Sequence, residues 1–413
     1  MPPENPPAPL EFATPSASTS REHAHAQSEP DNEKLLNRAV YPSTKYESPP
    51  TWAQSIAGWA YVSWIMLGPF LDMVWVIIPT RFFIRSSMLA GKEAVWPQKL
   101  LKWLEETYYS MLGGLLEIAG GMKFVITTDD KESAAGLTFP EQDQVLLLCN
   151  HRTEIDWIFF WNLSMRFNCH GRIRVMMKSI IRCLPGPGWA MLMLDYPYIS
   201  RKWDTDQDRI KNQIATYKAA AVGFWLCMFP EGTALYRRTL ERSQEFAKSR
   251  NEPTWSYVLS PRIRGFELCV QEQDPDAVLD VTVGYPELAE GVRPSPLRLV
   301  RGQFPRAVHV HLTKYSKKEL APHKDSMEQW LKQRFQEKED RLRTFYETGS
   351  FGGCTVTTSQ VNIPIAVWKG VVFHAFLTGW TFFSWVIFPI PTFLWFSFCM
   401  ALVLHHIYAF DKQ

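Results

Sequence analysis

Three long apolar stretches, one near the start of the chain and two at its end, frame everything that lies between them. Ile56 to Pro79 holds about 24 mainly apolar residues and one charge, Asp72, enough to cross a hydrocarbon core of about 30 Å. Trp52, Trp59, Trp64 and Trp75 suit its interfaces. Pro69 and Asp72 interrupt a simple span, so a bent or re-entrant helix confined to one leaflet is an alternative. The basic flank Arg81, Arg85, Lys92 and Lys99 places the downstream chain on the cytosolic side. At the other end, 363–388 and 392–410 are separated at Pro389 and Pro391 and read as two transmembrane helices or a tight membrane hairpin. Lys369 is placed to snorkel, and His374, His405 and His406 are expected near interfaces rather than in a site.

Between these stretches the pattern alternates. Strands are expected at 124–127, 145–149, 174–178, 196–200, 224–229, 280–284 and 307–312, and helices at 153–165, 206–220, 239–248 and 263–271. This alternation predicts the α/β class: a mixed, largely parallel sheet with flanking helices, plus N-terminal and C-terminal membrane helices. Leu101, Leu104, Tyr108, Leu112 and Leu115 make 100–118 amphipathic, facing either the core or lipid. A charged amphipathic helix over 325–344 carries Met327, Trp330, Leu331, Phe335 and Leu342 on its packed face. The ten prolines of residues 1–50, with no apolar periodicity, predict a disordered tail without a secretory signal, in which His23 and His25 have no metal role. The expected organisation is therefore tail 1–50, membrane and amphipathic helices 51–118, a catalytic domain 119–350 and a transmembrane pair 361–410.

Composition narrows function by exclusion. A net charge of +2 gives no electrostatic footprint for nucleic acid. The 17 tryptophans suit a chain working at a lipid surface. Seven cysteines form no Cys-x-x-Cys pair, and Cys149 and Cys227 fall in apolar runs, as small buried residues of a reducing compartment do. His309 and His311 share one strand face, but no third metal ligand is signalled.

Chemistry concentrates after two of the strands. Asn150-His151-Arg152-Thr153-Glu154-Ile155-Asp156 comes directly after the apolar run 145–149. A histidine at a strand end with a carboxylate to orient it is a general-base device, because imidazole can accept a proton from an alcohol near neutrality. The carboxylate fixes the tautomer and stabilises the imidazolium. Five residues of regular helix would turn Asp156 away from His151, so the pair requires His151 to precede the regular turns. On these residues alone, a core histidine and a first-turn helix carboxylate remain open readings. Arg201, at the end of the 196–200 strand, can clamp a phosphate, with Lys202, Arg152 and Lys178 as further basic candidates near the rim. Phe229-Pro230-Glu231-Gly232-Thr233 is a turn after a strand, with Pro230 and Gly232 setting its backbone.

The His151–Asp156 spacing and Phe229–Gly232 together resemble the two signature motifs of the lysophospholipid acyltransferase family, which includes the 1-acylglycerol-3-phosphate acyltransferases. Further blocks agree in order: Gly188-Trp189-Ala190-Met191, Tyr198-Ile199-Ser200-Arg201-Lys202-Trp203, Tyr257 to Arg262 with Gly265-Phe266, Asp280 to Val283, and Gly302 to Arg306 with His309-Val310-His311. The set is most similar to the lysocardiolipin acyltransferase branch and covers roughly residues 55 to 350. The resemblance implies catalysis by His151 and Asp156, and substrate binding by Arg201, Glu231, Gly232, Thr233, Asn150 and Pro261. Glu231, beside a phosphate, is expected to bind a hydroxyl or orient an arginine, and Pro261-Arg262 to line the acyl or CoA site. It also implies acyl-CoA as co-substrate with no further cofactor, a lysophospholipid acceptor and a bilayer as partners, and no metal. A CoA-independent transacylase and a catalytically idle lipid-binding scaffold are the rival readings. The tail lacks transit-peptide character, which favours the endoplasmic reticulum membrane over the mitochondrion.

Overall fold

The structure is a computed structural model that describes residues 38–39, 49–90, 95–219, 223–356 and 361–412. The expected disordered tail, with His23 and His25, lies almost wholly outside the described residues. The described residues form nine strands: β1 (Lys123–Thr128), β2 (Val145–Cys149), β3 (Ile173–Val175), β4 (Met177–Lys178), β5 (Tyr198–Ile199), β6 (Trp225–Met228), β7 (Ala277–Gly284), β8 (Ala307–Ser316) and β9 (Cys354–Val356). Seven form one sheet in the order β3-β6-β2-β7-β8-β1-β9. All neighbours in it are parallel except β7–β8 and β1–β9. The sheet is thus mixed and largely parallel, as expected.

β2 occupies the position its composition demands. Val-Leu-Leu-Leu-Cys has no polar side chain on either face, and all five residues are fully buried between β6 and β7. Each such apolar side chain contributes about 1.5–3 kcal/mol when removed from water. β7 is equally buried but carries Asp280. Lys338 meets that charge, and its ammonium also donates to the carbonyls of Val281 (2.7 Å) and Leu148 (3.2 Å). Lys338 lies on the helix Met327–Thr348, whose apolar face (Leu331, Phe335, Leu342) packs as periodicity predicts. Lys338 falls on that same face by its spacing from Phe335 and Leu342, and its charge is neutralised there by Asp280.

Two expected strands are corrected. The run 174–178 splits: Ile173–Val175 stays in the main sheet, while Met177–Lys178 turns away to pair with Tyr198–Ile199 in a separate two-stranded sheet. The break falls where Met176 N–H still bonds Cys227 O and Met177 N–H already bonds Pro197 O. The expected strand 196–200 shrinks to Tyr198–Ile199. The helix expected from Thr153 begins at Asp156. The helix Pro187–Met193 and strand β9 were not anticipated.

Among the described residues, three helices are long and apolar enough to cross a membrane: Trp52–Leu89 (α1), Ile363–Ile387 and Pro389–Phe410. The first is one continuous helical stretch across the segment for which a span and a bent or re-entrant helix were the two expectations. A capping box starts it, with Gln54 N–H on Thr51 Oγ1 (3.2 Å) and Thr51 N–H on Gln54 Oε1 (2.9 Å). It passes Pro69 unbroken, and one π-helical turn, Met73–Ile77, leads into the segment containing Pro79. Asp72 does not face lipid: its carboxylate lies 3.1 Å from His374 Nε2, and both are buried. His374 is therefore an interhelical partner, not the interfacial residue expected. Trp75 Nε1 donates to Thr381 (2.9 Å) and Trp395 Nε1 to Val74 O (3.2 Å), tying α1 to both C-terminal helices.

α1 also packs on the α/β core without side chains between the backbones. A Cβ on Gly58 would sit 2.2 Å from Gly302 N, and one on Gly302 would sit 1.8 Å from Gln54 O. Gly302 is further required by its φ of +67°. The amphipathic helix Val95–Ile118 buries Leu104, Tyr108 and Leu112, so its apolar stripe is core. Tyr108 OH donates to Ile65 O (3.2 Å) and Tyr61 OH to Leu112 O (3.3 Å) across the contact with α1.

Candidate active site

β2, β6 and β7 run parallel, β7 continues past the ends of β2 and β6 to Gly284, and the loops beyond the strands carry the site, as ligand positions in open α/β sheets do. Asn150 closes the β2–β7 seam: its side chain accepts from Val283 N (2.7 Å) and donates to Val283 O (3.1 Å), and it is buried. His151 comes next in irregular backbone, and the helix Asp156–Arg166 begins five residues later. Its ring stacks on Phe229 at 4.4 Å, and its side chain keeps 19% exposure, open enough for a substrate atom to reach it.

His151 Nδ1 lies 2.9 Å from Asp156 Oδ2. The same oxygen accepts Arg152 N–H (2.6 Å) and Thr153 N–H (2.9 Å), and Oδ1 accepts the hydroxyls of Thr153 (2.6 Å) and Tyr285 (2.6 Å). Burial pushes the Asp156 carboxyl up, but the hydrogen bonds and charge from His151, with those from Thr153 and Tyr285, outweigh it and leave it below the ordinary carboxylate value. An ionised carboxylate only accepts, so it selects the tautomer whose proton is on Nδ1 and whose lone pair is on Nε2. The backbone donors also explain the late helix start, because the carboxylate of the first helical residue captures N–H groups of the loop ahead of it.

Sequence reasoning missed Tyr285. It stands just past β7, 129 residues from Asp156, and is completely buried. The one available signal was its place at the end of a strand beside the histidine strand, where an aromatic hydroxyl must find a partner.

The second motif sits across Phe229 from His151. Among the described residues, the hydrogen-bond partners of Glu231 are two backbone amides. Its Oε1 accepts His151 N–H (2.8 Å) and its Oε2 accepts Leu259 N–H (3.2 Å), and the residue is 3% exposed. Burial pushes its carboxyl up to about 8, against the pull of those two amides. Glu231 thus pins the histidine loop to the 257–262 segment. Gly232 has φ +71°, and a Cβ there would meet Arg262 Nε at 3.0 Å.

Arg201 reaches the Gly232 carbonyl with Nη2. Its own backbone is left-handed, φ +67°, a conformation costing about 1–3 kcal/mol outside glycine. Asp206 holds it there, accepting Arg201 N–H (2.6 Å) on one oxygen and Ser200 N–H and Oγ–H (both 2.8 Å) on the other. Sequence reasoning missed that support as well. Burial and the neighbouring Arg262 guanidinium lower the Arg201 pKa. Among the described residues neither arginine side chain pairs with a carboxylate, so two like charges share Gly232 as a neighbour. Arg201, Arg262, Gly232, Thr233, Pro261 and Phe229 line one cavity of about 1160 Å³. Arg152 does not join them. It is fully buried and donates to Ala39 O. Cys149 is buried too, its Sγ 3.7 Å from Cys227, with burial first among the causes that raise its thiol far above the ordinary value.

An imidazole with a free Nε2, beside a cavity whose wall carries uncompensated cations, suits transfer of a group to a hydroxyl on an anionic molecule. Family models point to the same class. The one described as Acyltransferase matches residues 134–252, and the one described as Acyltransferase C-terminus matches residues 298–374. Lysocardiolipin acyltransferase 1 of Gallus gallus is 30% identical over 332 residues, 79% of each chain. The Mus musculus protein of that name is 32% identical over 70% of this chain and 71% of its own. A probable 1-acyl-sn-glycerol-3-phosphate acyltransferase 5 of Arabidopsis thaliana is 33% identical over 65% of this chain and 70% of its own. No solved structure matches the chain significantly. The chain belongs to the acyltransferase family that contains these relatives.

Proposed function

We propose that the protein is an acyl-CoA-dependent O-acyltransferase, integral to the endoplasmic reticulum membrane, that esterifies the free hydroxyl of a lysophospholipid. The observation that carries this reading is the His151–Asp156 pair at 2.9 Å, its Nε2 unengaged among the described residues, beside the Arg201–Arg262 wall. The acceptor phosphate neutralises the two guanidiniums and brings the glycerol hydroxyl to Nε2. Nε2 takes the hydroxyl proton as the oxygen attacks the thioester carbonyl. The tetrahedral oxyanion collapses, the C–S bond breaks, and the imidazolium returns the proton to sulfur, releasing CoA-SH. The thiolate leaves readily, so neither an enzyme nucleophile nor a cofactor is required. A positioned base is worth roughly 10²–10⁴-fold.

Lysophosphatidic acid, lysophosphatidylinositol, lysophosphatidylglycerol and lysocardiolipin all bring the needed phosphate and hydroxyl. Membranes containing the wild type or His151→Ala, given labelled oleoyl-CoA and these four lipids, test the reading. Label should enter at least one lipid with the wild type and fall by roughly 10²–10⁴-fold with the variant. Turnover retained by His151→Ala removes the mechanism. Acylation that persists without CoA or acyl-CoA makes the protein a transacylase, and no acylation from either donor makes it a lipid-binding scaffold.

A further inference from the structure

The last membrane helix does not end in solvent. Phe410, in the last turn of the second C-terminal helix, packs against the large core of the α/β domain, while Cys399 and Val403 of the same helix belong to a separate cluster with α1. The Phe410 ring lies under the Arg209 guanidinium at 4.2 Å, with the Arg182 guanidinium at 4.5 Å and the Tyr198 ring edge-on at 6.2 Å. Arg209 Nη2 also donates to the Phe410 carbonyl at 2.8 Å. A cation bonded to a carbonyl in the last turn of a helix satisfies an otherwise orphaned acceptor.

Both flanks of this contact lead to one residue. Tyr198 opens the two-residue strand β5 that delivers Arg201. Arg209 lies 3.9 Å from Asp206, one helical turn away. Asp206 holds the left-handed Arg201 backbone. The contacts run in series: Arg209 donates to Phe410 O, its guanidinium stands at ion-pair distance from Asp206, Asp206 accepts Arg201 N–H, and Arg201 donates to Gly232 O.

We infer that Phe410 is a positioning residue for the acceptor: the end of the C-terminal membrane hairpin holds Arg201 at the cavity wall through Arg209 and Asp206. The membrane hairpin then supports the acceptor site from outside and is not only an anchor. The inference rests on the proposed reading of Arg201 as the phosphate-binding residue. It assigns the hairpin no contact with substrate.

The test uses full-length protein in membranes and whichever of the four lysophospholipids the wild type acylates fastest. Phe410→Leu keeps apolar volume but removes the π-face, and Phe410→Tyr keeps the face. Phe410→Leu should raise the acceptor KM about tenfold, the effect of about 1.4 kcal/mol. Its kcat and its KM for oleoyl-CoA should stay within about twofold, as expected of an interaction that orders only the acceptor side. Phe410→Tyr should restore the wild-type acceptor KM. An unchanged acceptor KM in Phe410→Leu overturns the inference. So does an equal loss in kcat and both KM values with a matching fall in thermal stability, which would make the contact structural only. Wild-type failure to acylate any of the four sinks the functional reading and this inference together, whereas wild-type turnover with an indifferent variant sinks the inference alone.

Discussion

On the β2 side of the site a buried carboxylate accepts five hydrogen bonds. On the β5 side two guanidiniums stand together with no carboxylate among the described residues to neutralise them. Asp156 is satisfied by His151, Arg152, Thr153 and Tyr285 before any substrate arrives. Arg201 has its backbone held by Asp206, but among the described residues its charge meets a carbonyl and Arg262. The two sides therefore store energy differently. The base is preorganised by the fold, so its geometry costs nothing at the moment of reaction. The cationic wall holds unfavourable energy that an anion would release on binding, so binding should be electrostatic, salt-dependent and sensitive to the donor's shape.

Changes on the two sides should read out differently. Asp156→Asn should lower kcat by about 10²–10⁴-fold with little change in acceptor KM, measured at saturating oleoyl-CoA. A large KM effect would mean that the two sides are not separable. Arg201→Ala should lower kcat/KM by roughly 10–10²-fold, mainly through KM, and Arg201→Lys should recover only part, since an ammonium cannot form the bidentate pair. Full recovery by lysine would reduce the wall to bulk charge. Tyr285→Phe should cost about tenfold in kcat. It should also shift the acid limb of the pH–rate profile upward, because Asp156 loses a donor that favours its ionised form. An unmoved limb would show that Tyr285 only packs.

Glu231→Gln carries the smallest expected activity change and a distinct pH signature. The folded pKa of Glu231, about 8, is above its ordinary 4.5, so the folded state binds a proton that the unfolded state has lost. Its contribution to stability is fully present below about pH 4.5 and is lost as pH rises through about 8. Wild-type thermal unfolding in detergent, followed from about pH 5 to about pH 9, should fall more steeply with pH than that of Glu231→Gln. Parallel slopes would mean that the two amide donors keep the carboxylate ionised throughout. Asp156 acts in the opposite sense: its depressed pKa contributes stability above the unfolded value that is lost as pH falls through the folded one.

The meeting of His151 with Asp156 was legible because both lie in one short segment after an all-apolar strand and the flanking motifs resemble a known family, whereas the two residues by themselves left other readings open. The α/β class and the C-terminal helix pair were legible for the same local reason. The partners that complete the site were not. Tyr285 is 129 residues from Asp156, and Glu231 reaches His151 across 80 residues. His374 and Asp72 are 302 residues apart. Periodicity says which face is buried and never which distant polar group waits there. β4 and β5, at two residues each, fall below any pattern length, which is why 174–178 and 196–200 each read as one strand.

The backbone contact between Gly58 and Gly302 bears on kinetics as well as packing. With no side chain between them to act as a bearing, α1 and the Gly302 turn meet backbone to backbone, so a bilayer that held α1 would also hold the cavity at one height. Lysolipid would then arrive by lateral diffusion within one leaflet. The encounter is two-dimensional, so turnover should track the mole fraction of lysolipid in the membrane and fall when inert phospholipid dilutes that surface at constant bulk concentration.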